Sequence, residues 1–70
     1  MTDAEKLQAL NEASDKILSI RSLILKMCDD LDATNDIVDK EAIRQAIILS
    51  ERDLEEAESQ YNIIVQEIAQ

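Results

Sequence analysis

The chain has 70 residues and a mass of 7.9 kDa, enough for one small domain. It contains no glycine and no histidine and has a single cysteine, which excludes glycine-rich phosphate-binding loops, histidine-dependent nucleophiles and an internal disulfide. Sixteen acidic residues against seven basic ones give a net charge of −9, so we expect no direct binding to nucleic acid or to an anionic membrane.

The apolar content places the chain among folded proteins. Isoleucine, leucine and valine account for 20 of the 70 residues, too many for a disordered acidic tail. No apolar run approaches the roughly 18 residues that span a bilayer, and residues 1–6 are too polar for a signal peptide. Together with the single cysteine, these features predict a cytoplasmic protein.

The first half of the chain predicts one long helix over residues 2–31. Thr2 and Glu5 have the spacing of a capping box, in which the hydroxyl accepts a backbone N–H and the carboxylate reaches back. Apolar residues then recur at alternating steps of three and four, which is typical of a coiled-coil seam. This first seam consists of Leu10, Ala13, Ile17, Ile20, Ile24, Met27 and Leu31.

A turn is predicted over residues 32–38, where Asp, Thr and Asn are concentrated. Asn35 is the best candidate for a left-handed backbone conformation because the chain has no glycine. Either Asp36 or Asp39 can cap the next helix.

The second half predicts a helix over residues 39–69 with a matching seam. That second seam consists of Ile43, Ile47, Ser50, Leu54, Ala57, Tyr61, Ile64 and Ile68. A short turn between helices of equal length makes them antiparallel. We therefore expect an all-α, coiled-coil-like two-helix hairpin that forms a single domain over residues 1–70, in a register that places Met27 level with Ile43 and Ile17 with Leu54.

Apolar residues remain outside both seams, and an apolar patch of this size on a small protein is typical of an interface. One interpretation is a homodimer that forms a four-helix bundle, and the other is docking onto a different protein. Cys28 is expected to be a small buried apolar residue, and Tyr61 either anchors a partner or closes the seam. The predicted apolar interface consists of Leu18, Leu23, Leu25, Cys28, Ile48, Leu49 and Tyr61.

Acidic residues cluster around the turn and again in the second helix. The turn cluster prompts a calcium-loop hypothesis over residues 30–41, which is weakened by Asn35 and Val38 at positions where an EF-hand needs glycine and an oxygen ligand. Arg21 is expected to pair with Glu51 or Asp53 across the hairpin. The predicted acidic interface, which would orient a basic partner, consists of Glu51, Asp53, Glu55, Glu56 and Glu58.

These features favour a protein-binding function over catalysis. A hairpin of this size offers no desolvated cleft in which paired carboxylates could act, so we expect no enzyme activity, metal, cofactor or small-molecule ligand. The expected function is that of a small acidic regulator or inhibitor of adaptor or escort type, which docks on a partner protein and modulates it sterically, as a homodimer. The alternatives are a DNA mimic that blocks a nucleic-acid-binding protein, and a structural oligomerisation module.

Overall fold

The computed structural model describes residues 2–69 as two long helices joined by a short connection. Helix α1 runs from Asp3 to Ala33 and helix α2 from Ile37 to Ala69. The two helices lie side by side in a rod of 51 × 14 × 13 Å, so three connecting residues reverse the chain. The predicted all-helical hairpin is confirmed.

Helix α1 begins at the predicted cap. The Thr2 hydroxyl accepts a hydrogen bond from the backbone N–H of Glu5 at 3.2 Å, and the Thr2 carbonyl accepts the N–H of Lys6 at 3.0 Å. Asp3 and Glu5 lie in the first turn, where carboxylates favour the positive end of the helix dipole. The hydroxyl half of the predicted capping box is therefore confirmed.

The connection covers residues 34–36 and is shorter than the predicted turn of residues 32–38. The Thr34 hydroxyl donates to the Asp30 carbonyl at 2.7 Å, which helps α1 continue past Leu31. Asp36 accepts the N–H groups of Val38 and Asp39 at 2.8 and 3.2 Å, so α2 starts at once. Because side chains form hydrogen bonds with the backbone at the end of α1 and at the start of α2, the chain can reverse without a residue in the left-handed conformation.

The prediction of a left-handed conformation at Asn35 is wrong. Across residues 2–69, no backbone φ angle is positive. Thr34 is extended instead, with φ −93° and ψ 131°, and its own N–H bonds back to the Leu31 carbonyl at 3.4 Å. An extended residue directly after the helix therefore makes the reversal that a glycine would otherwise make.

Removing the α2 cap has a measurable cost. We expect Asp36→Ala to lower the free energy of unfolding by about 1 kcal/mol, because two backbone N–H groups lose their acceptor. Asp36→Asn keeps an acceptor oxygen at the same position and is the matched control. Urea unfolding followed by circular dichroism measures both variants, and an equal loss of stability in the two would refute the capping role.

The interface between the helices follows the two predicted seams. Ile17 and Ala57 are buried, with 8% and 3% of their surface exposed, and the other seam residues are half-buried except Ile68. No side chain within residues 2–69 is fully buried. The hairpin therefore has a narrow apolar stripe in place of an enclosed core.

The residues that meet across the two helices differ from those that the predicted register brings together. Asp30 and Ile43 line one groove beside the seam, and Ile17 and Glu58 line another. From these neighbours we infer that Ile43 lies level with Leu31 rather than Met27, and that Ile17 lies level with Ala57. In this register a three-residue step of one seam lies opposite a three-residue step of the other, and a four-residue step lies opposite a four-residue step. Because opposite steps have the same length along the helix axis, the seam residues stay level with one another along the two antiparallel helices.

Candidate functional site

A shallow groove flanks the seam on one side of the hairpin. Helix α1 contributes Ser14, Leu18 and Arg21 to its wall, and helix α2 contributes Glu58 and Asn62. The Arg21 guanidinium donates to the Glu58 carboxylate across this groove at 3.2 Å. Because side chains lean toward the N-terminus of their own helix, residues on antiparallel helices lean toward one another and can meet across the groove.

An exposed surface extends this groove along the rod. Residues seven apart share one side of a coiled-coil helix, so Leu25 follows Leu18 and Cys28 follows Arg21. On α2 the same spacing leads from Asn62 back to Ile48. Four exposed apolar residues lie in the central part of this surface, and we call them the first face. They are Leu18, Leu25, Cys28 and Ile48.

The second face lies on the opposite side of the seam. Asp30 and Ala42 line the groove there, and heptad spacing places Leu23 and Leu49 on the same side. We call Leu23 and Leu49 the second face, and both are exposed. Residues two apart on a helix do not share a side, so Leu23 and Leu25 belong to different surfaces.

The predicted apolar interface therefore does not form one continuous surface. Four of its residues make up the first face and two make up the second. Tyr61, the seventh, is half-buried at the seam and lines the groove of the first face. This position suits a ring that closes the seam at its edge, with one side open to the first face.

Two further expectations are wrong. Cys28 is exposed, because it lies seven residues after Arg21 at the edge of the seam rather than within it. Arg21 pairs with Glu58 instead of Glu51 or Asp53, because each side chain leans toward the N-terminus of its own helix and Arg21 therefore meets a residue farther along α2. Both differences follow from side-chain positions around the seam rather than from the seam pattern itself.

The predicted acidic residues are divided in the same way. Heptad spacing places Glu51, Glu55 and Glu58 on the side of the first face, and it places Asp53 and Glu56 on the side of the second. Glu58 is half-buried, and the other four are exposed. The side of the first face therefore combines three carboxylates of α2 with the Arg21 cation of α1.

The ion pair itself contributes little to stability. The side chains of Arg21 and Glu58 keep 57% and 44% of their surface exposed, so water screens the attraction. We expect Glu58→Gln to change the free energy of unfolding by less than about 1 kcal/mol. Urea unfolding at low and high salt measures the effect, and a loss of several kcal/mol would show that the pair is essential for the hairpin.

The calcium-loop hypothesis does not agree with the backbone. Residues 30–33 belong to α1 and residues 37–41 to α2, which leaves three residues outside the helices where an EF-hand needs a twelve-residue loop. Across residues 2–69, no three potential ligands among Asp, Glu and Cys come close enough to hold a metal ion. The acidic residues near the turn are instead helix-end and cap residues.

Several exposed apolar residues were not among the predicted interface residues. Ile37 and Val38 begin α2 and are 82% and 76% exposed. Leu7 and Val65 lie near the other end of the rod, on the side of the first face by heptad spacing from Ser14 and Glu58. Extending the heptad pattern to the positions beside the seam would have identified Leu7 and Val65.

Neither helix contains a stretch long and apolar enough to cross a lipid bilayer, within residues 2–69. Comparison of the chain with protein-family models, with curated proteins and with solved structures finds no match. The two faces and the charges that surround them are the features of this chain that bear on its function.

Proposed function

We propose that this chain is a small acidic protein-binding regulator, of inhibitor or escort type, which acts as a homodimer and modulates a partner protein by steric docking. The observation that carries the proposal is the exposure of large apolar side chains. Eleven of them, within residues 2–69, keep between 39% and 82% of their surface in contact with solvent. Exposed apolar surface of this kind is typical of a protein whose partner is absent.

The surface area supports association. The hairpin exposes 5385 Å², whereas a compact monomer of 7.9 kDa exposes about 4400 Å². The difference, about 1000 Å², is close to the roughly 800 Å² that each partner buries in a standard protein interface. The radius of gyration agrees, at 16.0 Å against about 11 Å for a compact chain of this length.

The two faces allow two associations at once. A second copy covers one face and forms a four-helix bundle, which also gives a short chain the enclosed core that a single hairpin lacks. The other face stays available for the target protein. Carboxylates beside each face orient a basic surface of the target and raise the association rate, while the apolar contacts supply the affinity. No catalytic step, metal or cofactor is involved, and the setting is the cytoplasm.

A comparison of single-site variants tests target binding. The tagged protein captures partners from a nuclease-treated lysate, and the complex is washed at low and then at high salt. We expect a stoichiometric partner that survives high salt and is lost with Leu49→Asp. Ser59→Asp adds the same charge at an exposed polar position of the same helix and is the matched control.

The salt washes also separate this function from the alternatives. A DNA mimic would release basic partners at high salt, would lose them when Glu55 and Glu56 are replaced by lysine, and would be displaced by added DNA. That result would replace steric docking by DNA mimicry. Capture of nothing but the chain itself would leave the structural oligomerisation module as the function.

A further inference from the structure

We infer that a second copy of this chain covers the first face, with both connections at the same end of the resulting bundle. The inference deepens the proposed homodimer and rests on it. The two-fold axis runs along the rod, so that α1 of each copy lies on α2 of the other. The area, the distribution of apolar residues and the charges all bear on this arrangement.

The side of the first face offers more apolar surface than the side of the second. Leu18, Leu25 and Ile48 occupy its central part, and Leu7 and Val65 extend it toward the other end of the rod. The opposite side carries Leu23 and Leu49, together with Ile63 by heptad spacing from Leu49, as its large exposed apolar residues within residues 2–69. The excess of exposed surface, about 1000 Å², fits one standard interface, so a single side is covered by the second copy.

The register shows which residues would meet across the two-fold axis. With Leu31 level with Ile43, residues whose numbers add to about 74 lie at one height along the rod. A two-fold axis along the rod keeps each residue at its own height and exchanges the two helices. The side chains of α1 therefore face the side chains of α2 from the second copy at the same height.

The chemistry is complementary at several heights. Leu25 faces Ile48 of the second copy, and Leu7 faces Val65. Between these apolar layers, Arg21 lies at the height of Glu51 and Glu55 of the second copy. Near the connection, Asp32 lies at the height of both Arg44 and Glu41 of the second copy, which pair with each other along α2, and Leu18 lies at the height of Glu55 and Glu58. Apolar side chains thus meet at two heights and opposite charges meet at Arg21, and each pair occurs twice because the interface is two-fold symmetric.

The opposite orientation brings like charges together. With the axis across the middle of the rod, α2 lies on α2 of the second copy. Glu51, Glu55 and Glu58 of both copies then meet near the centre, and Arg21 moves next to Arg21. Six carboxylates along one helix pair repel one another in a partly desolvated interface. Charge thus selects the arrangement that has both connections at one end.

A distance between two labels measures the orientation directly. Asn35→Cys in a Cys28→Ser background places one spin label on each connection, which is exposed and outside both seams. With both connections at one end, we expect the labels to lie within about 25 Å, because adjacent helices pack 8–10 Å apart. Opposite orientations separate the labels by about 40 Å or more, since the rod is 51 Å long.

The covered face is tested separately by sedimentation. We expect Leu25→Asp to raise the dimer dissociation constant by about 100-fold or more, and Leu49→Asp and the control Ser22→Asp to leave it within a few-fold of the wild type. Circular dichroism of each variant shows whether the helical hairpin is still folded. The distance between the labels is measured without these variants, so it tests the orientation even if a variant unfolds.

The outcomes separate this inference from the proposal beneath it. A dimer with distant labels would overturn the orientation and keep the homodimer. A dimer that is lost with Leu49→Asp and kept with Leu25→Asp would overturn the choice of face. A chain that stays monomeric would overturn both the inference and the homodimer.

Discussion

Ile17→Ala is expected to destabilise the hairpin by about 2–4 kcal/mol, the largest effect of any single truncation in this chain. Ile17 is 8% exposed and is the one large apolar side chain buried within residues 2–69. Its truncation removes apolar contacts and leaves a cavity in a stripe that has no second layer to fill it. A domain of this size has only a few kcal/mol of net stability, so the variant should be largely unfolded.

The control for this prediction is Ile63→Ala. Ile63 has the same side chain but is 49% exposed on the side of the second face. Its truncation should cost less than about 1 kcal/mol in the isolated protein. Urea unfolding at one protein concentration compares the two variants, since association couples stability to concentration. Equal losses would contradict the assignment of the core to the seam.

The second large effect is a partial recovery of stability when positions 17 and 57 exchange a large and a small side chain. Ala57→Ile places a branched side chain where 3% exposure leaves no room, so we expect a loss of about 1–3 kcal/mol. Combined with Ile17→Ala, the same substitution fills the space that Ile17 has vacated. The double variant should therefore be more stable than the sum of the two losses by about 1 kcal/mol or more.

This rescue discriminates between the two registers. Where Ile17 lies level with Ala57, the two positions share a layer and their volumes compensate. In the register predicted from the sequence, Ile17 lies level with Leu54 and is displaced from Ala57 by three residues, about 4.5 Å along the rod, so a weaker compensation is expected. A double-mutant cycle by urea unfolding that shows additive losses would contradict the register described here.

The sequence was sufficient for the fold class and for the seams. Alternating steps of three and four depend on the helix repeat alone, so they identify the residues that face the other helix. The Thr2 cap could also be predicted, because it depends on residues three apart in the chain. Local spacing thus determines which residues form each helix and which side of it is buried.

The register could not be predicted with the same approach, whereas the side faces follow from the heptad pattern once it is extended to the positions beside the seam. The register depends on where the chain reverses, and this is set by the hydrogen bonds of Thr34 and Asp36 rather than by the seam pattern. The division into two faces follows from the heptad positions on either side of each seam. Leu23 and Leu25 are close in sequence and at similar heights, yet they project to different sides.

The proposed function gives the exposed residues a physical role. A hairpin of 70 residues with a single apolar stripe gains stability when a second copy covers the first face. A net charge of −9 limits unselective association of the apolar surface that remains. In the proposed function, the second face, with Leu23 and Leu49, is the apolar patch that a target would bind.

Association of the hairpin with a second copy can be measured by sedimentation equilibrium of the wild-type chain. At about 100 μM, well above the dissociation constants of standard interfaces, we expect a species of twice the 7.9 kDa chain mass. A single species of 7.9 kDa at that concentration would contradict it.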